Sequence, residues 1–150
     1  MMQENRRNKE PFALQKPQGF RTIRFHFTAE AIEWLARAMK DNGGNTVSNH
    51  ALFYDLLSRM RLTSGRDDSF RRPQELQAGQ LQLSETGLAE EWNIGRKKVR
   101  NLLVTMEKLG LIAVNASKVA SVASVTCIEG WTDTRGNYVS LSFATVPNGT

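Results

Sequence analysis

Residues 96–108 read RKKVRNLLVTMEK, and four of the first five side chains are cationic. Side chains of this kind suit one chemistry above others, the reading of an acidic polymer. Lysine and arginine neutralise phosphates, an arginine fork matches the acceptor edge of guanine, and asparagine matches that of adenine. Arg96, Lys97, Lys98, Arg100, Asn101, Val104 and Lys108 are the candidates here. A solvated cationic face on an ordinary core helix is the competing explanation, and most charge runs on helices are that.

At ~100° per residue, Val99, Leu102, Leu103, Met106 and Leu109 gather on one arc, which is the side to bury. Lys97, Arg100, Asn101, Val104 and Lys108 lie opposite, with Arg96 and Lys98 on the flanks. Outward central residues can then reach base edges, Val104 a thymine methyl among them, while flanking cations meet phosphates. The helix begins at its positive dipole end, which also favours a phosphate there. The acids of the preceding helix, Glu85, Glu90 and Glu91, look segregated from the basic run.

Other chemistries find little material. The two histidines, His26 and His50, lie far apart, and Cys127 is the single cysteine. Metal ligation needs such residues at short spacings, so no metal or other cofactor is expected. His26 reads as a surface position on a strand and His50 as a polar helix-start residue. No serine sits in a nucleophile elbow, and Asp67 and Asp68 are flanked by arginines in a polar stretch, so no catalytic residues are expected and the chain does not read as an enzyme. Cys127 reads as buried packing in a reducing compartment.

The elements that must hold the basic helix can be followed along the chain. Residues 1–22 are polar, carry Pro11, Pro17 and Gly19, and read as a flexible basic arm ahead of one domain over 23–150. TIRFHF (22–27) alternates as a strand. Thr28 then caps a helix whose core side is Ala31, Ile32, Leu35, Ala38 and Met39, ended by NGGN at 42–45. A second helix runs from about Ser48 to Leu62. Residues 63–79 form a long polar loop, and GQLQL (79–83) a short strand. Ser84 caps a helix through Trp92; Asn93, Ile94 and Gly95 turn the chain; the basic helix runs 96–109; and Gly110 takes the left-handed position after its C-cap. Strands at 111–114 and 124–128 follow, with Lys118 at the tip between them, and one more strand is expected at 138–143. The strands at 22–27 and 138–143 could pair and tie the ends together.

Helix, three-residue turn, helix and a following strand pair form the outline of a winged helix-turn-helix. The fold expected is therefore α+β, a helical core with a small antiparallel β-sheet or wing and extra terminal strands, the helix-turn-helix at 84–110 and the wing at 111–128. The segments LFYDLLSRM (52–60), ELQAGQLQLSETGLAEEWNIGRKKVRNLLVTMEKLGLI (75–112) and SVTCIEGW (124–131) resemble the winged-helix domain of DnaD-like primosomal proteins and phage replisome organisers. Gly79, Gln80, Leu81, Ser84, Leu88, Ala89, Trp92, Val99, Arg100, Leu103, Glu107, Gly110, Leu111 and Ile112 carry that resemblance. Gly95 departs from it by standing where the family usually has a capping serine. The resemblance implies a role in DNA replication, transcription regulation or a mobile element or phage.

The net charge of +5 and pI near 9.7 favour an acidic partner. The charge concentrates in residues 1–24 and 93–110, and the remainder is close to neutral. The expected partner is double-stranded DNA, bound with helix 96–109 in the major groove and Lys118 on the backbone. The alternative is a protein-interaction or oligomerisation module, a homo-oligomer or a partner of replication or regulatory proteins, with Trp34, Tyr54 or Trp131 as anchors. Neither a membrane span nor a secretory signal is legible in the sequence, so a cytoplasmic, nucleoid-associated protein is expected.

Overall fold

Among the described residues, three of the four helices open on a hydroxyl cap. The computed structural model describes residues 19–68, 73–116 and 121–141. Thr28 accepts the Ala31 N–H at 3.0 Å and starts α1 (Ala29–Leu35). Ser48 accepts from Ala51 and starts α2 (Asn49–Arg59), and Ser84 accepts from Gly87 and starts α3 (Glu85–Trp92), each at 3.0 Å. Each cap satisfies one amide that the helix cannot pair internally. The basic helix α4 (Arg96–Lys108) begins at Gly95 and has no side-chain cap.

The helices are joined by a larger complement of strands. In chain order these are β1 (Phe20–Phe25), β2 (Ala38–Lys40), β3 (Thr46–Ser48), β4 (Gly65–Asp67), β5 (Gln74–Leu76), β6 (Gln80–Leu83), β7 (Ala113–Ala116), β8 (Ser121–Ser124), β9 (Ile128–Asp133) and β10 (Tyr138–Ser140). They make four small antiparallel sheets, ordered β1-β9-β10, β2-β3, β4-β5 and β6-β8-β7. The expected architecture, a helical core carrying one small sheet or wing, is thereby overturned. Among the described residues the molecule is a strand-rich α/β mixture, ten strands in four sheets against four helices.

Short hairpins account for much of the difference. The helix expected to reach Met39 stops at Leu35, and Ile32, assigned to its core side, is 56 % exposed. Ala38–Lys40 instead pairs with Thr46–Ser48. Asp41 makes this turn, because its carboxylate accepts the Gly43 and Asn45 amides at 2.8 and 2.9 Å. A short acid that binds the amides ahead of it competes with continued helix. Likewise the polar loop at 63–79 contains the β4–β5 hairpin. The chain's two end strands do not pair with each other; both flank β9, with Ile23 and Val139 in register on either side of Trp131. From Phe20 onward the expected arm is part of β1, and its residues 1–18 lie outside the described residues.

A single apolar core runs through these pieces. Phe53, Leu56 and Leu57 of α2 meet Leu88 and Trp92 of α3, Val99, Leu103 and Met106 of α4, and Ile128 and Trp131 of β9. Cys127 is buried among them, and burial pushes its thiol up to about 12, so it is protonated at neutral pH. His26 is also drawn inward, contrary to its surface assignment; its side chain is 18 % exposed and Nδ1 lies 3.5 Å from Glu129. The chain leaves β1 two residues earlier than the alternation indicates, so His26 lies beyond the strand and its N–H donates to the Cys127 carbonyl.

Candidate nucleic-acid interface

Helix α4 is fixed at both ends and along one side. At its C-terminus Gly110, at φ 77°, lets the chain reverse. The Gly110 N–H donates to the Glu107 carbonyl and the Leu111 N–H to that of Met106, the paired bonds of a left-handed helix stop. At its N-terminus Asn93 takes the left-handed conformation, φ 56°, which asparagine tolerates better than most residues. Ile94 is buried behind that turn and Gly95 carries the chain into α4.

The β2–β3 turn braces the same corner. The Asn42 N–H donates to the Asn93 carbonyl at 2.8 Å. Burial alone would raise the Asp41 carboxyl, but hydrogen bonds from Asn45, Gly43 and Asn93 outweigh it and hold the group below its ordinary value. A second acid anchors the same end of α3. Asp55 of α2 accepts the Trp92 indole N–H at 2.8 Å, and the Arg59 guanidinium on the same oxygen at 2.8 and 2.9 Å. These two acids set where the α3–α4 unit stands, although periodicity gives no sign of either: Asp41 lies in a turn and Asp55 on the apolar side of α2.

The outward face of α4 carries the residues singled out for it. Val99, Leu103 and Met106 are buried, while Arg96, Lys97, Lys98, Arg100, Asn101, Val104 and Lys108 are exposed. Val104 is 44 % exposed, an apolar surface one helical turn from Arg100 and Lys108. No carboxylate of the described residues pairs with Lys97, Lys98 or Lys108. Lys118 lies outside the described residues.

One acid of α3, Glu85, is not segregated from this face, contrary to expectation, whereas Glu91 lies 4.0 Å from Arg59 of α2. Glu85 reaches across from the first turn of α3 and accepts from Arg100 twice, Nε to Oε2 at 3.2 Å and Nη2 to Oε1 at 3.0 Å. Arg96 Nη2 stands 3.7 Å from the same Oε1. The Arg100 hydrogen bond, with its charge and that of Arg96, holds the Glu85 carboxyl below its usual value, and Glu85 in turn raises the Arg100 guanidinium. Glu85 is the site residue that sequence reasoning overlooked. It lies fifteen positions before Arg100, and only the packing of α3 on α4 brings the two together.

The C-terminal side of α4 leads to the sheet that follows it. Glu107 turns away from the outward face and accepts the Val114 N–H of β7 at 3.1 Å, closing part of that strand's open edge. Strand β8 lies between β6 and β7, in register Leu81–Ala123–Val114, so the strand before α3 and those after α4 share one sheet. The second strand of the expected pair begins earlier than 124, because the residues from Val125 to Cys127 cross to the other sheet.

Among the described residues no three His, Cys, Asp or Glu side chains gather to hold a metal ion, and no helix is long and apolar enough to cross a membrane. Compared with known protein families, curated proteins and solved structures, the chain matches none.

Proposed function

We propose that this protein binds double-stranded DNA through the outward face of α4. The observation that carries the reading is the grouping of Lys97, Arg100, Asn101, Val104 and Lys108 on one exposed helical face, with the three lysines of α4 left without acidic partners among the described residues. Uncompensated cations on a surface concentrate a polyanion, and a convex helix is a shape the major groove admits. Lys97, Lys98 and Lys108 neutralise phosphates; Arg100, Asn101 and Val104 face the base edges. The first turn after Gly95 has no side-chain cap, which leaves amide donors at the positive end of the helix. The phrase similar to primosomal proteins favours work on a replicating or regulated DNA molecule, as in a nucleoid.

The reading is tested by fluorescence anisotropy with a labelled random duplex, a single strand of equal length and a salt titration, on wild type and on Lys97→Ala/Arg100→Ala. Duplex affinity should fall steeply with salt, the logarithm of the binding constant changing by about 0.9 per phosphate neutralised for each log unit of salt. The double variant should bind more weakly, with a slope shallower by about 1 for the phosphate contact of Lys97. No duplex binding at low salt, from a folded chain, overturns the reading. A protein-interaction module is the alternative; Trp131, one of its expected anchors, is buried in the core.

A further inference from the structure

Glu85 does more to Arg100 than neutralise it. A guanidinium offers two edges with paired donors, a side edge of Nε and Nη2 and an end edge of Nη1 and Nη2. Glu85 occupies the side edge, one oxygen to each nitrogen. Among the described residues none occupies the end edge, the fork that can donate in parallel to guanine O6 and N7. Arg96, close to one oxygen of the same carboxylate, steadies it and offsets its charge. A long side chain that is 54 % exposed would otherwise sample many rotamers. Held at its side edge, the Arg100 plane is set before any ligand arrives, and less freedom is lost on contact.

We infer that Glu85 is a positioning residue that aims Arg100 end-on at a guanine, making this face selective for duplexes that present guanine opposite the second turn of α4. The inference rests on the duplex-binding reading of α4 and adds to it a base and the residue that selects that base. The alternative role for an acid at such a place is an electrostatic brake that weakens binding to every duplex alike. The two roles separate cleanly, since a brake changes affinity and an aiming carboxylate changes base preference.

The test is selection from a pool of duplexes with a randomised core, sequenced before and after capture, with anisotropy on the unselected pool as companion. The full chain is used as wild type, Glu85→Gln and Arg100→Lys, each checked for an unchanged melting temperature. Wild type should enrich guanine at a fixed position. Glu85→Gln should lose that enrichment by roughly tenfold, while binding the unselected pool at least as tightly as wild type. Arg100→Lys keeps the charge but lacks both edges, so it should lose the same guanine and serves as the check from the other partner. Equal guanine enrichment by wild type and Glu85→Gln overturns the inference, as does wild-type capture without any preferred guanine. If wild type captures no duplex, the duplex-binding reading itself fails, which is a separate result.

Discussion

Asp55 and Glu85 both grip arginines in this protein, and they do so in opposite surroundings. Asp55 is nearly enclosed, its side chain 7 % exposed, and one of its oxygens takes three donors, two from Arg59 and one from the Trp92 indole. Glu85 is 32 % exposed and spreads Arg96 and Arg100 over both oxygens. The first pair joins α2 to α3 inside the core boundary, where an unpartnered indole N–H has no water to turn to. The second joins α3 to α4 at the surface, where each group could be solvated instead. Similar chemistry therefore serves two ends: burial makes the Asp55 pair structural, and exposure leaves the Arg100 fork open to a ligand.

The largest expected effect lies on the buried side. Asp55→Ala should lower the unfolding free energy by about 1–3 kcal/mol, the cost of stranding a buried donor. Arg59, partly exposed, can rehydrate, so the indole carries most of that loss. Urea denaturation with an unchanged dependence on denaturant would measure it. The comparison breaks if Asp55→Ala costs no more than Glu85→Ala.

A smaller effect is expected at the exposed pair, with a pH signature. The folded-state carboxyl of Glu85 lies below its ordinary 4.5, so its contribution is present above that value and is lost as pH falls through the lower folded one. Glu85→Gln should therefore cost well under ~1 kcal/mol at neutral pH, as exposed pairs do. The difference from wild type should shrink towards zero in acid. An undiminished difference in acid would show that hydrogen bonding or packing, rather than charge, holds the two helices there.

The smallest effect is expected where α3 turns into α4. A side chain at Gly95 meets open space, and the backbone there, φ −74°, suits any residue. Gly95→Ser should add the missing cap and raise stability by a few tenths of a kcal/mol, roughly the difference between serine and glycine at this position. Thermal unfolding would detect it as a small rise in melting temperature, and a fall would mean that the first turn of α4 needs glycine for another reason.

Much of α3 and α4 was legible in the sequence. Ser84, Asn93, Gly95 and Gly110 stand where capping and turning rules place them, and the buried side of α4 follows from its helical period. The same reasoning failed at Ala38–Lys40, where apolar spacing resembles the last turn of a helix but Asp41 folds a hairpin. It failed again at 65–76, where polar residues conceal two strands too short to alternate visibly. The resemblance to a winged-helix family, carried by 52–60, 75–112 and 124–131, implied a helical core and gave no warning of the strand-rich remainder.

The sequence alone determined which residues share a face, because helical and strand periods are properties of a few neighbouring residues. It determined helix starts for the same reason, since a cap binds an amide three positions on. Which faces meet was decided only by the tertiary structure. Glu85 meets Arg100, Asp55 meets Trp92 and β9 lies between the two end strands. Those pairings depend on how α3 crosses α4 and on which strands close the core, and each must offset the entropy of bringing distant chain segments together. No local pattern records that balance, because it is struck by the whole buried core at once.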